Sequence, residues 1–82
     1  MKANFYTTSG CHLCELALEI IVKLQATDLP DLEIQPIDIA DHDDLVEKYG
    51  IRIPVIQALN CSSDLGWPFD EIKLKNYLGS SA

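Results

Sequence analysis

The sequence predicts an α/β domain in which a four-stranded mixed sheet packs against three helices on its two faces, and three observations lead to this prediction. Segments with the composition and two-residue alternation of strands are interleaved with segments that have the three-and-four apolar spacing of helices. The early connections between strands contain helices, as crossovers do, which predicts parallel pairing, whereas the last connection is short, as in an antiparallel hairpin. The chain has 82 residues, enough for one such domain over residues 1–82 but not for two.

The first strand and the first helix have the clearest patterns. Residues 3–7 are rich in aromatic and β-branched side chains and end at the turn-forming residues 8–10, which predicts a strand followed by a tight turn. From Leu13, apolar side chains recur at three- and four-residue spacing until residues 27–30 end the helix. We expect the buried face of this helix to consist of Leu16, Ala17, Ile20, Ile21 and Leu24.

The middle of the chain predicts a strand and a short helix. Residues 32–38 alternate apolar and polar side chains, and Pro36 suits an edge strand because proline cannot donate to the hydrogen-bond ladder. A short helix should follow, with Asp41 or Asp43 as its N-cap and Gly50 at its end.

The last third of the chain predicts a hairpin and a helix. Residues 53–59 and 65–67 have the composition of two strands joined by a turn. Residues 70–78 predict an amphipathic helix with Asp70 as its N-cap, and Gly79 is expected to end it. The predicted order is therefore strand, helix, strand, helix, strand, strand, helix.

The charge balance excludes several classes of partner. Thirteen acidic and six basic residues give a formal net charge of −7, so the chain should repel nucleic acid and anionic membrane surfaces. The N-terminus lacks the apolar run of a signal peptide, and the most apolar stretch, residues 16–24, is interrupted by Glu19 and Lys23. We expect a cytoplasmic protein with no nucleic-acid or membrane partner.

Three cysteines are candidates for chemistry. The odd number does not suit a secreted disulfide framework, and the Cys-x-x-Cys spacing of Cys11 and Cys14 indicates redox or metal chemistry in a cytosolic context. Cys61 stands alone, and we expect a free thiol in or near the hairpin. Zinc would need two more ligands, for which only Cys61, His42 or His12 could serve. We expect no metal; the alternatives for the pair are a structural half-site for zinc or two small apolar residues of the core.

The position of the dithiol at a helix start makes reversible oxidation easy. Both sulfur atoms should lie on one side of the first turn, with Cα atoms close enough to close a disulfide. Cys11 faces the unpaired amides and the positive end of the helix dipole, which favour thiolate, so we predict Cys11 as the nucleophile and Cys14 as the resolving thiol.

The helix terminus alone does not supply a large shift of the Cys11 pKa. Lowering a thiol pKa from about 8.5 to about 7 requires roughly 2 kcal/mol, whereas a helix terminus typically supplies about 0.3–1 kcal/mol. A hydrogen bond from Cys14, the imidazole of His12 and the guanidinium of Arg52 are the candidates for the remainder. We expect the pKa of the Cys11 thiol to be moderately lowered by these groups.

Three segments of the sequence resemble a known family. Residues 5–17, FYTTSGCHLCELA, resemble the strand, loop and dithiol helix of short bacterial glutaredoxin-like proteins of the thioredoxin superfamily. Residues 52–55, RIPV, resemble the segment of that superfamily in which a cis proline faces the dithiol and offers the preceding backbone to an extended substrate. Residues 67–70, WPFD, are similar to the entry to the last helix. The resemblance covers nearly the whole chain and implies a thioredoxin-like fold of βαβαββα order.

The candidate substrate-binding residues are Ile53 and Pro54, which the resemblance implies, together with Arg52 and His12. Pro54 would be the cis proline, with the backbone of Ile53 next to it. Arg52 would attract a substrate carboxylate or the Cys11 thiolate, or would form a solvated ion pair with one of the many acids of the chain. His12 would be an exposed turn residue with a secondary influence on the thiolate.

The function implied by the resemblance is thiol–disulfide exchange on a protein or small-molecule disulfide, as part of cell redox homeostasis. We expect a monomer that needs no organic cofactor and receives electrons from glutathione or a thioredoxin-type reductase. The alternative is a non-catalytic module that binds a partner, or a dithiol that holds a metal or an iron–sulfur cluster between two chains.

Overall fold

In this computed structural model, residues 2–50, 52–59 and 63–81 are described, and they form the predicted order of strands and helices. A single 3-10 turn between the second strand and the second helix was not predicted. The elements are β1 (Lys2–Thr7), α1 (His12–Ala26), β2 (Glu33–Asp38), the 3-10 turn (Ile39–Asp41), α2 (Asp43–Tyr49), β3 (Val55–Ala58), β4 (Leu65–Gly66) and α3 (Glu71–Ser81).

The four strands form one mixed sheet in the order β2-β1-β3-β4. β1 and β2 are parallel, and Phe5 is paired with Pro36, so the proline lies on an edge strand as predicted. β3 is antiparallel to β1, which contradicts the parallel pairing expected after the second crossover. Because α2 has seven residues and is only about 10 Å long, the chain does not return to the far end of the sheet before β3 begins. The end of β1 and the start of β3 consequently lie at the same edge of the sheet.

Successive side chains of a strand point to opposite faces of the sheet, so the buried side chains form one core on each face. One face packs against α1 and α3, and its buried side chains include Ala3, Phe5, Ile56 and Ala58 from the sheet with Ala17, Ile21, Leu24, Leu74 and Leu78 from the helices. The other face is smaller and packs against α2, with Tyr6, Ile39, Tyr49 and Val55. The predicted arrangement of helices on both faces is confirmed.

The buried face of α1 is narrower than the sequence predicted. Ala17, Ile21 and Leu24 are buried as expected and Ile20 is half-buried, but Leu16 is 37% exposed. The helix packs against the sheet along one stripe only, and Leu16 lies outside it. Among the described residues, no helix is both long enough and apolar enough to cross a bilayer.

Two of the predicted helix ends differ in the structure. Asp70 accepts a hydrogen bond from the Lys73 amide at 2.8 Å, as an N-cap does, but α3 continues through Gly79 to Ser81. A Cβ at Gly79 would meet nothing within 4 Å and its φ is not positive, so nothing requires the helix to end there.

The start of α2 also differs from the prediction. His42 is the N-cap of this helix, and its side chain makes no capping hydrogen bond. Asp41 lies in the 3-10 turn and Asp43 is the first helical residue, so neither is the cap. The capping carboxylate is one turn earlier, where Asp38 accepts from the Ala40 amide at 3.0 Å. The 3-10 turn uses the side-chain cap and leaves α2 without one.

Candidate active site

Cys11 and Cys14 are joined by a disulfide bond at the start of α1, with their Cα atoms 5.2 Å apart. That Cα separation lies within the range that a disulfide accommodates without backbone movement. The prediction that this pair can close a disulfide within the first turn is therefore confirmed.

The two cysteines differ in burial and in their hydrogen-bond partners. Cys11 is the N-cap of α1, and its Sγ accepts a hydrogen bond from the Cys14 amide at 3.1 Å. Cys11 is half-buried, whereas Cys14 is 4% exposed and belongs to the larger core cluster. An N–H donor and the positive end of the helix both favour negative charge on the Cys11 sulfur. The site therefore joins a half-buried cysteine to a buried one.

The turn before the dithiol depends on Gly10, whose φ is +78°, a conformation that other residues rarely adopt. A Cβ at Gly10 would meet nothing within 4 Å. A side chain there would therefore destabilise the fold only through the unfavourable positive φ and not through a steric clash. We expect Gly10→Ala to lower the free energy of unfolding by about 1–2 kcal/mol, measured by urea denaturation. Gly79→Ala is the matched control, since it also enters open space but in a helix, and should raise that free energy by up to about 1 kcal/mol. Equal effects of the two substitutions would contradict this account of Gly10.

Pro54 lies at the same edge of the sheet as the dithiol, directly before β3. The Ile53–Pro54 peptide bond is cis, as the resemblance implied, and the Trp67–Pro68 bond is also cis, which was not predicted. The carbonyl of Pro54 accepts from the Trp67 amide at 3.0 Å, and the amide of Ile53 donates to the Tyr49 carbonyl at 3.0 Å. Ile53 and Cys11 both pack against the larger core cluster. This segment is thus held by backbone bonds to α2 on one side and to the end of β4 on the other.

Arg52 forms an ion pair with Asp64, which agrees with the expected alternative of a pair with an acid of the chain. Nη2 donates to Oδ1 of Asp64, and Nη1 donates to Oδ2 at 3.4 Å. The hydrogen bond to Asp64 raises the pKa of Arg52. The guanidinium carbon lies 5.8 Å from the centre of the Tyr49 ring, within cation–π range. The described contacts of Arg52 are therefore with Asp64 and Tyr49, and its role in substrate binding stays a prediction.

His12 lies on the surface in the first turn of α1. Its Nδ1 is 3.6 Å from a carboxylate oxygen of Glu15, and both side chains are about four-fifths exposed. An exposed pair of this kind contributes little to stability. His12 is thus exposed as expected, but it is the first residue of α1 and not part of the turn before it.

A cavity of about 250 Å³ adjoins both sulfur-bearing residues. Its walls combine apolar side chains with hydroxyl groups, and Glu15 is the one charged residue among the described residues that line it. The lining is Phe5, residues 7–11, Cys14, Glu15, Leu18 and Pro36. Apart from the two cysteines, none of these residues was predicted as part of a site.

The sequence held a partial indication of this cavity. Glu15 is in the first turn of α1 and Leu18 is four residues after Cys14, on the same side of a helix. Pro36 reaches the cavity because β2 is paired with β1 in a register that sets it beside Phe5. That register is a long-range feature, and no local pattern shows it.

Within residues 2–50, 52–59 and 63–81, no group of three or more His, Cys, Asp or Glu side chains could hold a metal ion. Cys61, which was expected to be a free thiol near the hairpin, lies outside the described residues.

Comparisons with known proteins extend the resemblance seen in the sequence. Residues 2–79 match the family described as "Glutaredoxin-like domain (DUF836)". The solution structure of target protein XcR50 from X. campestris is 30% identical, with a TM-score of 0.80, and covers 98% of this chain and 95% of that chain. Protein Ne2328 from Nitrosomonas europaea is 31% identical, with a TM-score of 0.74 over 93% of this chain and 88% of that chain.

Thioredoxin 1 from Thermosipho africanus is 19% identical, with a TM-score of 0.65 over 99% of this chain and 98% of that chain. No curated protein matches the sequence. The similarity to this thioredoxin concerns the fold alone, and it agrees with the four-stranded mixed sheet and three helices described above. The family match over residues 2–79 shows that the chain belongs to the glutaredoxin-like family, and its fold is thioredoxin-like.

Proposed function

We propose that this protein is a thiol–disulfide oxidoreductase in which Cys11 is the nucleophile and Cys14 the resolving thiol. The observation that carries the proposal is the position of Cys11, a half-buried residue that caps the N-terminus of α1. Its sulfur accepts a hydrogen bond from the Cys14 amide and is bonded to the sulfur of the buried Cys14. Disulfide exchange needs a thiolate that is stabilised, here by the helix N-terminus, and a second thiol next to it.

The reaction has two steps that each exchange one sulfur–sulfur bond. The Cys11 thiolate attacks one sulfur of the substrate, so that a mixed disulfide forms and the first substrate thiolate leaves and takes up a proton. Cys14 then loses its proton and attacks the Cys11 sulfur, which forms the Cys11–Cys14 bond and releases the second substrate thiol. The substrate disulfide gains two electrons and the protein dithiol loses them. A thiol reductant, such as glutathione or the dithiol of a reductase, restores the protein by the reverse exchange.

The segment before Pro54 is the proposed docking site for substrate backbone. The Ile53 amide donates a hydrogen bond to the Tyr49 carbonyl. Among the described residues, none donates a backbone hydrogen bond to the Ile53 carbonyl. An extended substrate with an N–H at that position would satisfy it. Arg52 would contribute to substrate binding only after the substrate competes with Asp64, and His12 would act from the surface of the first turn.

The test is catalysis of protein disulfide reduction. Catalytic amounts of the protein should accelerate the reduction of insulin by glutathione or dithiothreitol, and a Cys61→Ser variant should retain the acceleration because Cys61 takes no part in either step. Failure of the reduced protein to accelerate the reaction with either reductant would overturn the proposal. Colour or stoichiometric metal in freshly purified protein would instead favour the alternative of a bound metal or cluster.

A further inference from the structure

The cavity beside the dithiol has room for a side chain rather than for a whole ligand. Its volume is about 250 Å³, below the roughly 300–1,000 Å³ of pockets that enclose small-molecule ligands. Cys11 and Cys14 form part of its wall, and Phe5, Leu18 and Pro36 supply apolar surface. A substrate whose disulfide reaches Cys11 would therefore place a neighbouring side chain in this cavity.

The cavity continues into a shallow groove along the outer surface of α1. The two share Glu15 and Leu18, and the groove adds Glu19 and Val22. Leu18 is 42% exposed and Val22 is 53% exposed, one turn apart on the helix. The surface next to the dithiol is thus an apolar strip with two carboxylates along it.

The cations that could offset these carboxylates already have acidic partners. Lys23, the one lysine of the groove, lies 2.9 Å from Glu71, and Arg52 is paired with Asp64. His12 is the described group that faces Glu15, at 3.6 Å and in an exposed position. The net charge of −7 adds a negative field over the whole chain. An anionic substrate would approach this site against repulsion.

We propose that the substrate of this site is a peptide or protein disulfide flanked by an apolar side chain and a cationic side chain, and that Glu15 selects against anionic disulfides, including those of glutathione. This inference rests on the proposed disulfide exchange and names its substrate class. The apolar side chain enters the cavity between Leu18 and Pro36, and the cation lies beside Glu15 at its rim.

The experiment uses two synthetic peptides that carry the same reporter thiol in a mixed disulfide. Both have a leucine on one side of the cysteine, and on the other side one has a lysine and the other a glutamate. The second-order rate constant of reaction with the reduced protein is measured for each at neutral pH and low ionic strength. The ratio of the two constants is compared, since any change in Cys11 nucleophilicity affects both peptides equally and cancels.

In the unmodified protein we expect the lysine peptide to react about fivefold faster, as a single charge pair near a surface predicts. Glu15→Gln should bring the ratio to within about twofold of one. Glu47→Gln is the matched control, because it removes the same charge from an exposed position on α2, across the sheet, and should leave the ratio unchanged. High salt should compress the ratio of the unmodified protein.

Two outcomes separate this inference from the proposed function. If both peptides react but the ratio is near one, or does not fall in Glu15→Gln, the charge selection is wrong and disulfide exchange stands. If neither peptide reacts with the reduced protein, the proposed exchange itself is overturned.

Discussion

Cys11→Ser is expected to abolish disulfide exchange, with turnover lowered by about three orders of magnitude or more. A serine hydroxyl is not ionised at neutral pH and is a far weaker nucleophile than a thiolate at the same helix terminus. Cys14→Ser should behave differently, since the first attack remains but the resolving thiol is lost. That variant should form a stable mixed disulfide with its substrate.

Insulin turnover and intact-protein mass spectrometry distinguish the two variants. In the Cys61→Ser background, Cys14→Ser should gain the mass of one substrate thiol, and Cys11→Ser should gain none. Alkylation rate against pH in the Cys14→Ser/Cys61→Ser variant should have its midpoint below about 8.5, the value of an ordinary thiol, because the Cys14 amide and the helix dipole act on the Cys11 sulfur. Equal turnover in Cys11→Ser and the parent, or an adduct on Cys11→Ser alone, would contradict the assignment of the nucleophile.

The sequence predicted those parts of the fold that depend on neighbouring residues. The helix α1 repeats its buried side chains every three or four residues, so its existence and position followed from residues 13–26 alone. The edge position of Pro36 followed in the same way, from the chemistry of one residue. The direction of β3 did not follow from the sequence. It depends on where the chain emerges from the short helix α2 relative to the sheet.

The local features of the site were likewise predicted, and its long-range contacts were not. The disulfide between Cys11 and Cys14 is a local feature, since the two cysteines are three positions apart and a helix turn sets their spacing. The partner of Arg52 is twelve residues away in the sequence, and the chain has thirteen acidic residues from which to choose. Only the folded arrangement selects Asp64. The cavity beside the dithiol likewise requires the register of β1 and β2 and was not predicted.

Tyr49 connects the smaller core to the segment that precedes the cis proline. It is 1% exposed, and its ring stacks on Tyr6 at a centroid distance of 4.4 Å. Its carbonyl accepts the amides of both Arg52 and Ile53, at 2.8 Å and 3.0 Å. One residue thus anchors α2 to the sheet and holds the chain that leads to Pro54.

Tyr49→Ala is expected to lower the free energy of unfolding by about 3–5 kcal/mol, because it removes a buried aromatic ring and its stacking contact with Tyr6 and leaves a cavity. That loss is a large part of the roughly 5–15 kcal/mol that stabilises a domain. Urea denaturation measures it directly, and Tyr49→Phe, which keeps the ring, should cost less than about 1 kcal/mol.

A milder substitution, Tyr49→Leu, tests whether the ring also supports the site. Leucine fills part of the space and should leave the domain folded, with a loss of about 2 kcal/mol. If the ring fixes the position of Ile53 and Pro54, the folded Tyr49→Leu protein should react more slowly with a peptide disulfide. The alkylation rate of Cys11 should be unchanged, because α1 and α2 pack on opposite faces of the sheet. Loss of both rates in parallel would mean that Tyr49 acts through general stability, whereas loss of neither would separate the smaller core from substrate binding.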